Sequence, residues 1–111
     1  MGVEVLSDAM GCLQDIHWSH GSFGYFATYS IGSLYAAQLW HTIKEQLPEV
    51  ELEMKTIGTE KIWNWLKENI YKYGRQFTSE ELCKKATGEG LNSRYFLEYA
   101  EKKWNVVAAI V

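Results

Sequence analysis

The sequence predicts an all-α fold, a helical array of about five helices, and three observations carry that expectation. In the second half of the chain, apolar residues recur at three- and four-residue intervals, the repeat of a helix face. No strand-length run alternates apolar and polar residues with period two. The punctuation also suits helices, because Pro48, the only proline, and Gly58, Gly74 and Gly88 fall between the periodic runs.

Taken in order, the first helix is expected over residues 28–47, with Leu34, Ala37, Gln38 and His41 spaced along one face and Pro48 as its stop. A short acidic helix over 49–57 follows, whose Val50, Leu52 and Met54 share no clean stripe, and Gly58 ends it. Thr59 is placed to cap a helix over 60–73, where Ile62, Trp63, Leu66 and Ile70 form a wide apolar face before Gly74. Thr78 and Glu81 have capping-box spacing at the head of a helix reaching Thr87, with Gly88 just beyond it. Ser93 starts the last helix, over 94–104, which sets Phe96, Leu97, Ala100 and Trp104 opposite Glu98, Glu101 and Lys102. The apolar tail over 106–111 is expected to dock. At these spacings Trp63, Trp65 and Trp104 read as packing residues.

At 111 residues, with 47% hydrophobic and 14% aromatic content, the chain is expected to form one helical domain over 1–111 with a modest, dense core. The net charge of -3 gives no reason to expect nucleic acid or anionic lipid as a partner. Charge is unevenly placed: all 11 Lys and Arg residues lie at or beyond Lys44, and no charged residue occurs between Ile16 and Thr42. That stretch is too polar to cross a membrane, given His17, His20, Gln38 and His41 and the glycines at 21, 24 and 32. It is expected to be buried in protein or to line a cavity. Cys12 and Cys83 are too few for a disulfide framework, although a bridge between them stays open because hyperthermophiles form intracellular disulfides. Without a signal-peptide pattern behind Met1, a cytoplasmic location is the expectation.

No His-Glu-x-x-His, phosphate-binding glycine loop or Cys-x-x-Cys pair occurs, so candidate chemistry concentrates between Gly11 and Gln38. His17 and His20, three apart, can share a metal with Asp15 or Cys12 if that turn is helical. A histidine pair beside Trp18 is more often part of a hydrogen-bonded core or a pocket wall. Tyr25 and Tyr29, four apart, can project two phenol hydroxyls toward a carboxylate or a developing oxyanion, or be core aromatics with satisfied hydroxyls.

The runs Gly11-Cys12-Leu13-Gln14-Asp15-Ile16-His17-Trp18, Gly21-Ser22-Phe23-Gly24-Tyr25-Phe26-Ala27-Thr28-Tyr29 and Gly32-Ser33-Leu34-Tyr35-Ala36-Ala37-Gln38 closely resemble the C-terminal region of the Taq-type thermostable carboxypeptidases. The likeness continues through Trp65-Leu66-Lys67-Glu68-Asn69-Ile70, Gly74, Thr87-Gly88-Glu89 and Tyr95-Phe96, so it covers essentially the whole chain. The resemblance implies an all-helical zinc metallopeptidase that removes single residues from peptide C-termini, usually as a homodimer. In that family the zinc is held by a His-Glu-x-x-His helix and a later glutamate, and this chain contains neither, so it is expected to bind no metal and to be inactive alone.

What the resemblance leaves to this chain is one wall of the substrate groove. Residues 1–43 comprise the groove-lining segment and first helix, and 44–111 the amphipathic helices. Asp15, His17 and Trp18 match the family's Gln-Asp-x-His-Trp segment as groove wall or as support for the metal region, and Tyr25 and Tyr29 match tyrosines that bind substrate or oxyanion. Ala27 stands where the family usually has proline, which loosens the start of that helix. The expected partners are peptide C-termini, a second copy of the chain, and a separately encoded zinc-binding portion. The alternative is a non-catalytic helical self-association or interaction module derived from the enzyme.

Overall fold

Pro48 and the glycines divide the chain much as their chemistry requires. In the computed structural model the described residues are 4–56 and 58–108, with only the backbone described at Val106 and Val107. Two single 3-10 turns, Asp8–Met10 and Cys12–Gln14, lead to a four-residue helix α1 (Ile16–Ser19). Then come α2 (Ala27–Gln46), α3 (Val50–Thr56), α4 (Glu60–Asn69), a 3-10 turn at Tyr71–Tyr73, α5 (Ser79–Thr87) and α6 (Arg94–Ala108). No strand occurs among the described residues, as the periodicity predicts. Helix α1 is the one the spacing does not announce. The predicted helix end at Ile57 and the docking of the tail beyond Ala108 lie outside the described residues.

The helix ends follow local chemistry. Helix α2 closes when Leu47 N donates to Ile43 O (2.8 Å), and Pro48, with no N–H to give, prevents another turn. At α5 the predicted capping box is complete: Glu81 N donates to Thr78 Oγ1 (3.3 Å), and Thr78 N donates to Glu81 Oε2 (2.8 Å). These bonds to Thr78 hold the Glu81 carboxyl below its ordinary pKa, the backbone N–H contributing most. Gly88 ends the same helix in the left-handed region, at φ 87°.

Two predicted ends are corrected. Thr59 makes no side-chain cap; its ψ of 14° is not the extended conformation that turns the hydroxyl toward the helix, and only its carbonyl starts α4, accepting from Trp63 N (3.0 Å). Helix α4 stops at Asn69 rather than Tyr73. Ile70 turns to φ -124°, Asn69 Nδ2 donates back to Trp65 O (2.9 Å), and the chain tightens into the 3-10 turn.

By contact the chain divides into a unit ending at Ser30 and a unit beginning at Ile31. The core of the second unit is Ile43 of α2, Val50 of α3, Trp65 of α4 and Ala86 of α5, flanked by Leu39, Trp40, Leu47, Ile62, Leu66 and Ile70. Trp65 satisfies its indole by donating Nε1–H to Gln46 Oε1 (2.7 Å), which is what admits a tryptophan to this position. The dense packing expected from composition is confined to this small set. Trp63 is 58% exposed and Trp104 70%, so of the three tryptophans read as packing residues only Trp65 is buried.

A polar side chain lies deeper than the apolar ones around it. Gln38 is 0% exposed, and its carboxamide is fully used: Nε2 donates to Thr87 Oγ1 (2.9 Å) and Gly90 O (3.0 Å), and Oε1 accepts from Asn92 N (2.9 Å). One glutamine therefore ties α2 to the loop between α5 and α6. Glu89 stiffens the same loop by accepting from the Tyr95 hydroxyl and from Asn92 Nδ2 (3.2 Å). The Tyr95 bond is the main reason the Glu89 carboxyl sits below its ordinary pKa and the Tyr95 phenol above its own.

Candidate functional site

The first unit gathers the sequence-predicted site residues on one aromatic wall, and the wall begins with a carboxylate clamp. Asp15, in extended conformation, is the N-cap of α1, and its Oδ1 accepts from both His17 N (2.8 Å) and His17 Nδ1 (2.7 Å). An ionised carboxylate can only accept, so Nδ1 carries the proton and the neutral ring keeps its Nε2 lone pair for another partner. The backbone bond is the largest reason the Asp15 carboxyl is held below the ordinary aspartate range; the bond to the ring adds to it. Both side chains are about three-quarters covered, at 25% exposure for Asp15 and 26% for His17.

Glycine turns bring the chain back over this clamp. Gly21 and Gly24 have φ of 69° and 75°, a region that residues with a Cβ rarely occupy, and Ser22 N donates to His17 O (2.8 Å) across the turn. Tyr25 then stacks on His17, with ring centroids 5.3 Å apart and planes 20° apart, while Phe26 sits 4.6 Å from the same ring. Tyr29 meets Tyr25 edge-on at 5.5 Å, and Trp18 packs against Phe23 at 5.4 Å. A shallow cavity bordered by Gly11, Gln14, Asp15, His17 and Phe26 opens beside the clamp.

Ala27, in place of the proline the resemblance leads one to expect, begins α2 and donates its N–H to Gly24 O (3.3 Å). Proline has no N–H to make that bond, so the substitution adds one at the helix start where loosening was expected. Within this chain the wall is not buried, contrary to the expectation for an uncharged stretch: Phe23 is 75% exposed, and Trp18, Tyr25, Phe26 and Tyr29 are exposed as well. His17, His20, Asp15 and Cys12 form no group of three or more ligands able to hold a metal ion, and no such group occurs among the described residues. Both cysteines carry free thiols, Cys12 exposed and Cys83 buried. No helix among the described residues is long and apolar enough to cross a membrane. Sequence reasoning missed Gln38 as a structural clamp, since it registered only as one member of a helix face.

Fold and site together define a chain of the all-helical class, with an aromatic wall centred on an aspartate-held histidine. The profile of the Carboxypeptidase Taq (M32) metallopeptidase family matches residues 1–104, and the chain belongs to that family. Thermostable carboxypeptidase 1 of Pyrococcus furiosus is 40% identical over 104 residues, covering 94% of this chain and 21% of the relative. Carboxypeptidase 1 of Bacillus subtilis is 39% identical over 105 residues, covering 95% and 21% respectively. The solved structure of Trypanosoma cruzi metallocarboxypeptidase 1 superposes with a TM-score of 0.86 at 40% identity, over 95% of this chain and 22% of that one. The chain thus spans about a fifth of the length of the curated relatives it matches. The family is one of metallopeptidases, but the described side chains do not fit a metal: Asp15 and His17 are spent on each other, and no third ligand joins them.

Proposed function

We propose that this chain is the C-terminal portion of a zinc metallocarboxypeptidase that removes single C-terminal residues from peptides, and that it supplies one wall of the substrate groove. The observation that carries the reading is the Asp15-clamped His17 with Tyr25 stacked on it and Tyr29 edge-on to Tyr25, in a chain related to carboxypeptidases over residues 1–104. The phenol hydroxyls of Tyr25 and Tyr29 donate to the scissile carbonyl oxygen as it becomes an oxyanion, or to the terminal carboxylate of the peptide. Such bonds are strong only where water is excluded, so these exposed tyrosines need an opposite wall. Asp15 keeps the His17 ring fixed in one tautomer, and Trp18 closes the side of the wall. The zinc belongs, in this reading, to a His-Glu-x-x-His portion outside this sequence, and no residue of this chain is assigned to it.

The test is a chimera in which this chain replaces the matching 104-residue segment of the Pyrococcus furiosus enzyme. The chimera is expected to release C-terminal residues from a blocked dipeptide, and Tyr25→Phe or Tyr29→Phe to lower kcat by about 10- to 1,000-fold, the range for losing one oxyanion donor. The 111-residue chain with added zinc is expected to release none. An active chimera indifferent to Tyr25→Phe, Tyr29→Phe and His17→Ala would overturn the groove-wall role.

One observation favours a second reading, a helical self-association module. Large apolar side chains stay exposed on the first unit, including Leu13, Ile16, Phe23 and Phe26, and exposed apolar patches of this kind drive association. We propose a symmetric homo-oligomer on that ground. A monodisperse monomer in sedimentation equilibrium at micromolar concentration would count against it.

A further inference from the structure

Helices α2 and α6 flank two adjoining cavities, of about 400 and 230 Å³, that share Ala37, Trp40 and Tyr99 and so form one continuous groove. At one end Ser33, Ala36 and Ala37 of α2 face Phe96 of α6. Side chains this small let another helix approach to the 8–10 Å at which helices pack. At the other end the lining becomes charged: Lys44 and Lys102 stand against a single carboxylate, Glu98. Between them lie aromatic rings, Trp40 half-buried and Tyr99 49% exposed. The groove therefore has an apolar floor, space at one end for a backbone, and excess positive charge at the other.

We propose that this groove seats an amphipathic helix, with an apolar face and an acidic flank, from the four-fifths of the family polypeptide that this chain does not match. The inference rests on the carboxypeptidase reading for its choice of occupant. Three observations support that choice. The matched relatives are about five times as long as the region shared with this chain, so most of their polypeptide must pack somewhere beside it. The shared fold is helical, so what packs beside it is presented as helices. The lysine pair at the groove's end supplies the charge complement that orients an acidic flank.

The experiment titrates the 111-residue chain with overlapping synthetic peptides of about 25 residues, roughly seven helical turns. The peptides tile the Pyrococcus furiosus carboxypeptidase outside its matched 104 residues. Binding is read by calorimetry and located by hydrogen exchange. At least one peptide with an apolar face and acidic flank is expected to bind, protecting residues 33–44 and 95–102. Ala36→Arg, on an exposed helical position, is expected to weaken that binding at least tenfold; Ala36→Ser and the distant Leu52→Arg on α3 should leave it unchanged. If circular dichroism shows Ala36→Arg misfolded, Tyr99→Arg takes its place.

The proposal is overturned if no peptide binds, if binding survives the arginine variant, or if the same residues become protected only as the chain's own concentration rises, which makes a second copy the occupant. An active chimera without peptide binding would sink the groove assignment and leave the groove-wall reading standing. Peptide binding with an inactive chimera would do the reverse.

Discussion

Replacing Gln38 by alanine tests whether one buried carboxamide holds the second unit together. The substitution removes three hydrogen bonds at once, but their consequences differ. Thr87 Oγ1 keeps other partners in Cys83 O (2.9 Å) and Glu89 O (3.1 Å), so it stays satisfied. Gly90 C=O and Asn92 N–H lose the partner Gln38 gave them. An unsatisfied buried group costs about 1–3 kcal/mol. Both residues are only half-buried, so water recovers part of the loss, while the vacated side-chain volume adds a cavity penalty. The expected destabilisation is about 2–4 kcal/mol, against a total of roughly 5–15 kcal/mol for a folded domain. At this chain length it corresponds to a fall in Tm of about 10–20 °C.

Thermal and urea unfolding followed by far-ultraviolet circular dichroism and by fluorescence measures it. Gln38→Glu sharpens the result. A carboxylate confined in that socket has its pKa raised by burial, so its folded form binds a proton more readily than the unfolded chain. Its destabilisation should therefore be smallest below about pH 4.3, the unfolded glutamate value, and grow as pH rises, whereas that of Gln38→Ala shows no such dependence. A Gln38→Ala variant within about 0.5 kcal/mol of the parent, the range of an ordinary surface substitution, would refute the clamp.

Thr78→Ala should destabilise the chain by about 1 kcal/mol and speed exchange of the Glu81 amide, while Thr78→Ser changes little, as monitored by hydrogen exchange. Because the Asp15 pKa is lowered by folding, its contribution is fully present above the unfolded value of about 3.9 and is lost as pH falls through the lowered folded value. The His17 amide proton shift should follow that titration, and Asp15→Asn should abolish it. In native buffer Cys12 should react with a maleimide well before Cys83, whose thiol is buried and has its pKa pushed up mainly by that burial; in urea the two should react alike.

Local features were legible and distant ones were not, for a physical reason visible in particular residues. The capping box of α5 has both partners within four positions, so its residue types and spacing are the mechanism itself. Asp15 and His17 are two apart, and the resemblance placed them on one wall with Tyr25 before any geometry was known. Gln38 shows the opposite case: its three partners lie 49, 52 and 54 residues away, and nothing near it in sequence marks it as a clamp. Thr59 shows that a capping residue type is not a cap unless the backbone turns its hydroxyl inward.

The tryptophans make a different point. The spacing that placed Trp63, Trp65 and Trp104 on helix faces records that those faces are apolar, and periodicity contains nothing about what covers them. Trp65 is covered by this chain's own core, with an amide on Gln46 to satisfy its indole, while Trp63 and Trp104 are not. The exposed wall of the first unit and the α2–α6 groove pose the same question, and each has a chemistry that restricts the answer. The wall presents phenols and a fixed imidazole, which suit a polar substrate drawn into a dry cleft. The groove presents small residues, rings and two lysines, which suit a helix. A covering that served one would leave the other unexplained, so the peptide titration and the chimera assay test separate surfaces of this chain.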